Sequence, residues 1–467
     1  MSTRFKLHSK HQKILADTLT PVSVYLKIRD QFPHSLLLES SDYDARANNF
    51  SYICCNPIAS LSISGLKITY NFPNGSNQEK SLTAVDKVPK LIQDFAQQFE
   101  SKKFPFKFIT NGLFGFIAHE AVTHFENLTF RKDKENLELP EIYYAVYQNI
   151  IAISLFNHEA HLFSHSYDGI DNLDKIERIL KKDNTTSYQF KKRGEKLSNL
   201  TDREFISLVN KAKEHCFRGD VFQLVLSRQF SQGFSGDEFN VYRTLRSINP
   251  SPYLFFFDYG DFKIFGSSPE AQLVVKQGKA EIHPIAGTFK RTGNDQEDLA
   301  SAELLASDPK ENSEHVMLVD LARNDLSRNG NEVVVEKNRE IQFFSHVIHL
   351  VSKVTAYLKS YTKTFQVVAD TFPAGTLSGA PKHMALQLID RYENTARNAY
   401  GGALGYMDFD GNFNHCIIIR SFTSKNQQLH YQAGAGIVSK STPENELQEV
   451  YNKLGALDKA LTMAEKL

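Results

Sequence analysis

Apolar residues recur along the chain at two spacings, and these spacings predict where strands and helices lie. In the first part of the chain, short runs rich in β-branched and aromatic side chains predict strands at 35–40, 59–72 and 144–156. Residues 85–99 instead repeat their apolar positions with the period of an amphipathic helix. Because links of hairpin length outnumber helical crossovers, the pattern favours an α+β fold with antiparallel strands.

The same patterns continue through the second part of the chain. Thr201 and Glu204 form the sequence signature of a capping box, which predicts the start of a helix. Further helices are predicted over 295–328, near 341–358 and after Pro443. The predicted strands of this part cover 222–230, 253–259, 263–268, 271–288, 400–409, 415–422 and 429–438.

Residues 181–200 separate the two parts. They are charged, poor in aliphatic side chains and rich in turn-forming residues, which is typical of a linker. The sequence therefore predicts an N-terminal region over 1–180, a linker over 181–200 and a second domain over 201–467.

Composition and charge narrow the classes of function. The chain has 467 residues, 41% of them hydrophobic, and its 54 Lys plus Arg balance 54 Asp plus Glu. With no net charge and no basic patch interleaved with aromatic residues, nucleic-acid binding is not expected. The polar N-terminus and the absence of an apolar run of about 20 residues predict a cytoplasmic protein that does not enter a membrane. The four cysteines form no C-x-x-C pair, which argues against disulfides and structural zinc.

Two Glu-x-x-Glu pairs are the first candidates for chemistry. Glu311 with Glu314 and Glu446 with Glu449 each place two carboxylates on one face of a predicted helix. A single pair of this kind is common on solvated helices. If the two faces converge, however, the four carboxylates need a cation, and ligands that are all oxygen favour a hard one such as magnesium.

Small residues lie at the ends of several predicted strands. The segment FPAGTLSGAPKH (372–383) looks like a phosphate-binding loop, but Lys382 is followed by His383 and not by the Ser or Thr that such loops require. Similar small residues occur at Gly287 and in the run 434–436, with Arg420, Lys453 and Lys382 as cations suited to carboxylates. These features favour a pocket for a small anionic ligand.

Seven motifs, in order, resemble those of chorismate-binding enzymes and more narrowly those of the large subunits of anthranilate synthases. They are PIAGT (284–288), SEHVMLVDLARNDL (313–326), GTLSGAPK (375–382), YGGALGY (400–406), CIIIRS (416–421), QAGAGIV (432–438) and E-x-x-E-x-x-NK (446–453). The resemblance implies an α+β fold of largely antiparallel sheets, with a central β-sandwich, helices outside and two intertwined subdomains. It makes 1–180 the region with a regulatory site and 201–467 the catalytic domain.

Two positions separate the branches that the chain resembles. Isochorismate and salicylate enzymes carry a lysine that activates water where this chain has Gln223, an amide that cannot act as a base. Aminodeoxychorismate synthases carry a nucleophilic lysine where this chain has Ala286. The expected activity is therefore conversion of chorismate and ammonia to anthranilate and pyruvate. An aminodeoxychorismate synthase and a catalytically silent, tryptophan-binding subunit are the alternatives.

The resemblance also implies roles for individual residues. Glu270 matches a general acid and His349 a group that removes the C2 proton, with Thr376 beside them in the catalytic set. Glu314 and Glu449 match Mg²⁺ ligands, assisted by Glu311 and Glu446. The positions expected to contact chorismate are Gly287, Thr288, Tyr400, Arg420, Gly434, Gly436 and Lys453.

Two further expectations concern regulation and a partner. LLLES (36–40) and NPSPY (249–253) resemble the two halves of a site for tryptophan as feedback inhibitor, which fits a chain with no tryptophan of its own. The residues expected there are Glu39, Ser40, Pro250, Ser251, Pro252, Tyr253 and Cys416. Because the chain has no glutaminase motif around any cysteine, ammonia is expected from a separate glutamine amidotransferase subunit, in a heterodimer or heterotetramer.

Overall fold

The architecture comes from a computed structural model of the chain. It describes residues 4–40, 49–83, 86–183, 185–343, 347–360 and 362–467, and for residues 288, 290 and 310 it describes the backbone alone.

Strands and helices alternate irregularly along these ranges. The strands are β1 (Phe5–Leu15), β2 (Leu36–Ser40), β3 (Ser51–Ser64), β4 (Lys67–Asn71), β5 (Asn77–Ser81), β6 (Phe99–Ser101), β7 (Gly112–Ile117), β8 (Ile142–Ser154), β9 (Glu159–Ser166), β10 (Phe190–Ser198), β11 (Gln223–Gly236), β12 (Tyr253–Asp258), β13 (Phe262–Ser268), β14 (Ala271–Lys276), β15 (Lys279–Ile282), β16 (Ile285–Lys290), β17 (Gly330–Phe343), β18 (Val347–Leu358), β19 (Gly379–Ala380), β20 (Ala403–Asp408), β21 (Phe413–Ile417), β22 (Ser421–Lys425) and β23 (Gln428–Ile437). The helices are α1 (Pro21–Arg29), α2 (Val88–Ala96), α3 (Leu173–Leu180), α4 (Asp202–Arg218), α5 (Phe239–Ile248), α6 (Asp295–Ser307), α7 (Pro309–Ser327), α8 (Thr364–Thr371), α9 (Gly375–Ser378), α10 (Lys382–Tyr392) and α11 (Pro443–Ala464), with a 3-10 helix at His119–His124.

The strand pairings form one continuous antiparallel path. It runs through β11, β23, β22, β13, β12, β2, β3, β8, β7, β20, β21, β14, β15 and β18. Strands from the first 180 residues (β2, β3, β8 and β7) thus lie between β12 and β20 of the second part. The two parts share one sheet, which confirms the expected α+β fold with antiparallel strands and intertwined halves. The domain boundary itself stays a prediction.

Half of the predicted linker is a strand. Residues Phe190–Ser198 form β10, which pairs antiparallel with β11 and contains an irregularity between Arg193 and Leu197. Most of its residues are exposed, so their charges face solvent at the edge of the sheet. Charged side chains are a common way to protect an edge strand, and here they gave the segment the composition of a linker.

The helix predicted near 341–358 is wrong, because residues 341–343 and 347–358 belong to the antiparallel pair β17 and β18. The second strand is rich in β-branched residues and is buried almost continuously, since residues 348–352 and 354–356 are all buried. β-branched side chains favour strands, and a short continuous buried run fits a strand that is covered on both faces.

Other local predictions are confirmed. The Thr201 hydroxyl accepts a hydrogen bond from the Glu204 backbone at 3.3 Å, and the Glu204 carboxylate accepts one from the Thr201 backbone at 2.7 Å, so the capping box opens α4. The predicted tract 295–328 is two helices, and Asp308 between them is extended, as expected before Pro309. Over the described ranges, no helix combines the length and apolar character needed to span a membrane.

Candidate active site

Glu270 is a buried carboxylic acid between β13 and β14. It is only 8% exposed, and burial raises its pKa to about 8, although Thr376, Lys453 and Arg420 each lower it. The Thr376 hydroxyl, on α9, donates a hydrogen bond to Glu270 Oε1 at 3.1 Å. At neutral pH the side chain therefore carries a proton, and the bond from Thr376 leaves Oε2 as the oxygen that holds it.

His349 lies on β18 and is 3% exposed. Its Nδ1 lies 2.6 Å from the carbonyl oxygen of Gly287, an acceptor, so Nδ1 carries the ring proton and Nε2 has the basic lone pair. Burial lowers the pKa of His349 to about 4, with the Gly287 carbonyl opposing this and Arg420 and Lys453 adding to it. The imidazole is neutral at physiological pH.

Two cations connect these groups electrostatically. Arg420 and Lys453 affect the pKa of both Glu270 and His349, which places all four side chains around one site. Burial lowers the pKa of Arg420, and Glu270 opposes this shift. Arg420 has a φ of +49°, an uncommon backbone conformation for a residue with a side chain and one that is often found at functional sites.

β23 supplies a surface without side chains beside these groups. Gly434 and Gly436 are two residues apart and lie on one face of the strand. A Cβ at Gly434 would lie 3.2 Å from the Tyr400 hydroxyl, and one at Gly436 would lie 2.6 Å from Gln223 Nε2. Lys453 Nζ donates to the Gly434 carbonyl at 2.9 Å. At these two positions β23 therefore presents its backbone, and no side chain, to the polar groups.

Both carboxylates of the first Glu-x-x-Glu pair lie beside glycines. Glu314 Oε1 accepts a hydrogen bond from Gln223 Nε2 at 2.6 Å and would be 3.4 Å from a Cβ at Gly436. Glu311 Oε2 would be 3.2 Å from a Cβ at Gly287, which has a φ of +69°. Glu449 forms an ion pair with Lys453 at 2.7 Å, and this pair is half-exposed.

The fourth carboxylate, Glu446, is buried near the start of α11. In the part of the chain that the structure describes, no group of three or more His, Cys, Asp or Glu side chains is close enough to hold a metal ion. The donors nevertheless fit a hard cation in kind, since all are carboxylate oxygens. Their role as Mg²⁺ ligands stays a prediction.

Lys382, predicted as a cation for the ligand, has its partners within the protein. Lys382 Nζ donates to Asp325 Oδ2 at 2.9 Å and to the Thr371 carbonyl at 3.1 Å, so this lysine joins α7, α8 and α10 and is not a free cation for a ligand. Thr288 lies on β16, and its side chain is outside the described part.

The two segments of the expected regulatory site are neighbours. β2 and β12 pair so that Ser40 faces Tyr253 and Glu39 faces Leu254, although the two segments are more than 200 residues apart in sequence. Pro250, Ser251 and Pro252 precede β12, and Cys416 is buried in the same apolar cluster as Leu36.

Glu39 is more constrained than the sequence suggested. It is 3% exposed and accepts hydrogen bonds from Arg246 Nε and Nη2 at 2.8 and 2.9 Å and from the Tyr242 hydroxyl at 2.5 Å. Three donors thus already occupy the carboxylate that was expected to accept from an α-ammonium group. Its part in ligand binding stays a prediction.

Sequence reasoning missed Arg397 and Glu393, which form a buried ion pair at 2.7 Å next to the site. Their spacing of four residues resembles an ordinary surface pair on a helix. However, α10 ends at Tyr392, and the pair is inside the protein. The sequence alone has no signal that distinguishes this pair from a surface pair.

Comparisons with known proteins identify the family. A family model described as chorismate binding enzyme matches residues 37–459. The chain is 34% identical to anthranilate synthase component 1 of Aquifex aeolicus, covering 100% of this chain and 97% of that protein. It is 36% identical to the component 1 protein of Neisseria meningitidis serogroup A, covering 97% and 95%.

Two solved structures have the same fold. Anthranilate synthase component I from Streptococcus pneumoniae superposes with a TM-score of 0.73 at 29% identity, covering 96% of this chain and 99% of that one. MenF, the menaquinone-specific isochorismate synthase from Escherichia coli, gives a TM-score of 0.75 at 17% identity, covering 98% and 95%. At that identity the second likeness concerns the fold alone.

Proposed function

Because the chain belongs to the family of chorismate-binding enzymes, we propose that it is the large subunit of an anthranilate synthase. The proposed reaction is a lyase reaction that takes chorismate and ammonia to anthranilate, pyruvate and water. The names of the full-length relatives and the side chains around Glu270 support this reaction.

The observation that carries the proposal is the burial of Glu270, which raises its pKa to about 8. Departure of the 4-hydroxyl of chorismate as water needs a proton donor, and a carboxyl group with a pKa of about 8 keeps its proton at neutral pH. The hydrogen bond from Thr376 fixes the orientation of the carboxyl group. Glu270 would protonate the leaving hydroxyl while ammonia attacks C2.

His349 is the proposed acceptor of the C2 proton in the second half of the reaction. The Gly287 carbonyl holds Nδ1–H, so the Nε2 lone pair is the basic position. An imidazole with a pKa near 4 is a weak base, but loss of this proton with pyruvate makes the ring aromatic, and that product stability assists the transfer.

Arg420, Lys453 and Tyr400 are the proposed contacts for the two carboxylates of chorismate. Arg420 and Lys453 bring positive charge to a buried site, where an anionic substrate gains more from it than in water. The glycines of β23 leave room for the substrate to approach the backbone.

The identity of residues 223 and 286 supports ammonia as the nucleophile. Gln223 uses its Nε2 to bind Glu314 and has no group that could deprotonate water. Ala286 offers no amine for a covalent intermediate. These residues speak against hydration of chorismate and against the lysine chemistry of aminodeoxychorismate synthases.

We further propose Mg²⁺ as cofactor, with Glu314 and Glu449 as ligands and Glu311 and Glu446 assisting. When bound, the ion would supply Lewis-acid polarisation of the ring carboxylate. The all-oxygen donor set supports this choice.

Ammonia would come from a glutamine amidotransferase subunit, and tryptophan would inhibit at the β2–β12 junction. The "component 1" names of the relatives support a second component. The pairing of Ser40 with Tyr253 supports one regulatory site built from both segments. A heterodimer and a heterotetramer both remain consistent with these observations.

Product analysis tests the proposal. The purified chain alone is incubated with chorismate, Mg²⁺ and a high concentration of ammonium, and products are separated by chromatography and mass spectrometry. Anthranilate and pyruvate in equal amounts are the expected result. An aminated product without pyruvate would support an aminodeoxychorismate synthase, and unchanged chorismate with bound tryptophan would support a silent regulatory subunit.

A further inference from the structure

A buried ion pair between Glu393 and Arg397 lies behind the candidate active site. Each residue is 2% exposed. Arg397 Nε and Nη2 donate to the two carboxylate oxygens of Glu393 at 2.8 and 2.7 Å. Ser227 donates to Glu393 through its backbone N at 2.9 Å and its hydroxyl at 2.6 Å. Burial alone would raise the pKa of Glu393, but Arg397 and Ser227 lower it, so the pair is ionised.

The remaining donors of Arg397 bind two backbone segments of the site. Nη1 donates to the Leu377 carbonyl at 2.6 Å, and Nη2 donates to the Val225 carbonyl at 2.9 Å. Leu377 directly follows Thr376 on α9. Val225 is on β11, two residues after Gln223. The guanidinium therefore links α9, whose Thr376 binds Glu270, to β11, whose Gln223 binds Glu314.

Two further contacts fix Arg397 itself. Its backbone N donates to Glu120 Oε1 at 2.8 Å, and its guanidinium carbon lies 5.8 Å from the ring centroid of Tyr400. Arg397, Glu393 and Glu120 also line a cavity of about 560 Å³. Arginine is the one side chain with a planar group of five N–H donors, which lets it bind Glu393, Leu377 and Val225 at once.

We propose that Arg397 is a positioning residue for the reaction, acting through Leu377 and Thr376 on Glu270. It contacts none of the expected reacting groups itself. By holding the Leu377 carbonyl, it sets where the Thr376 hydroxyl lies and so how Glu270 is oriented. The expected effect on kcat rests on the proposed function, whereas the effect on the positions of Leu377 and Thr376 does not.

The primary test compares Arg397→Lys with Arg131→Lys. Arg131 is a matched control, since it donates to the backbone carbonyls of Asp390 and Glu393 but contacts neither α9 nor β11. Arg397→Lys keeps the charge beside Glu393 and loses the fork. We expect kcat to fall about 10- to 100-fold with KM for chorismate nearly unchanged, because small misplacements of catalytic groups have effects of this size. Arg131→Lys keeps wild-type kcat.

A double-variant cycle separates positioning from general structural damage. If Arg397 acts through Thr376, adding Arg397→Lys to Thr376→Val lowers kcat no further than Thr376→Val does alone. Since the Thr376 hydrogen bond lowers the pKa of Glu270, Arg397→Lys also moves the alkaline limb of the pH profile to higher pH. If the effects of the two substitutions on kcat multiply and the alkaline limb of the pH profile does not move, the proposal is overturned.

Hydrogen exchange provides a readout that does not require activity. Amides of residues 375–380 are expected to exchange at least about tenfold faster in Arg397→Lys and at the wild-type rate in Arg131→Lys. Unchanged exchange would overturn the proposal even in a protein with a different reaction. A wild-type chain that forms no anthranilate would contradict the proposed function, while the exchange comparison would still decide the positioning role.

Discussion

The hydroxyl of Thr376 donates to Glu270 across 106 positions of sequence and joins α9 to the segment between β13 and β14. Glu270 is buried with a pKa of about 8, so this bond orients a carboxyl group that keeps its proton at neutral pH. Burial keeps the proton on Glu270, and the hydrogen bond from Thr376 fixes the orientation of its carboxyl group.

Glu270 and His349 predict opposite contributions to stability as pH changes. A Glu270 pKa that rises from 4.5 to about 8 on folding corresponds to on the order of 5 kcal/mol, fully present below pH 4.5 and lost as pH rises to 8. His349, with a pKa that falls from 6.5 to about 4, contributes stability above pH 6.5 that is lost as pH falls. As pH rises to 6.5, the two residues change the stability in opposite directions. Above pH 6.5, only the contribution of Glu270 still changes.

Glu270→Gln isolates the first contribution. Relative to wild type, its free energy of unfolding should rise with pH up to about 8 and then stay level, because the amide has no proton to lose. Urea unfolding of both proteins between about pH 5 and 9 measures the difference. A constant difference over this range would show that Glu270 has an ordinary pKa.

Gly436→Ala should impair the site without unfolding the protein. The new Cβ would lie 2.6 Å from Gln223 Nε2 and 3.4 Å from Glu314 Oε1, so the bond between these side chains must shift. We expect at least about a 100-fold loss of kcat/KM, since displacement of positioned groups has such effects.

The control is Gly455→Ala on α11, where no atom lies within 4 Å of the added Cβ. This variant should keep full activity and gain about 0.5–1 kcal/mol in unfolding free energy, because alanine favours the helix. Equal activity of the two variants would argue that β23 does not line the substrate site.

Arg246→Ala should weaken inhibition by tryptophan. Arg246, on α5, binds both carboxylate oxygens of Glu39 and so fixes the end of β2 beside the segment that leads into β12. Leaving the buried carboxylate short of donors should cost about 1–3 kcal/mol of stability. The inhibition constant should rise about tenfold or more, by the loss of a bidentate, charge-assisted contact.

Arg243→Ala provides the comparison for this change. Arg243 lies on the same helix and donates to Asn240, away from Glu39. Its tryptophan inhibition curve should match that of wild type. Wild-type inhibition of Arg246→Ala would place the inhibitor elsewhere.

Mg²⁺ should bind weakly to the chain alone and about tenfold or more tightly with chorismate present. No group of three candidate ligands is assembled within the described residues, and Mg²⁺ usually keeps positions for substrate oxygens. Isothermal titration with and without chorismate measures this coupling. Glu314→Gln should abolish it, and Glu135→Gln, a change in an exposed Glu-x-x-Glu pair, should not.

The sequence was sufficient for much of the fold because its signals are local. The capping box at Thr201 and the β-rich runs predict elements from neighbouring residues alone. Phe190–Ser198 was misassigned because its charges come from exposure at a sheet edge, which composition does not distinguish from a linker. The strand around His349 was predicted as a helix because a nearly continuous run of buried residues does not distinguish a strand from a helix by its period.

The site was harder to predict because its contacts are distant in sequence. Glu314 and Gln223 are 91 residues apart, and nothing local to either indicates their bond. Arg397 and Glu393 are close in sequence, yet only burial distinguishes them from a solvated pair. Lys382 had the residue type of a ligand contact, but the fold uses it to bind Asp325.

Whether Glu270 is the general acid is tested most directly by comparing anthranilate formation by wild type and by Glu270→Gln. Both proteins are incubated with chorismate, Mg²⁺ and ammonium near neutral pH. Thermal melts of both proteins serve as the control for folding. We predict magnesium-dependent anthranilate fluorescence for wild type and a fall in kcat of about 100-fold or more for a folded Glu270→Gln, as for loss of a general acid. Equal rates for the two proteins would contradict the proposal that Glu270 is the general acid.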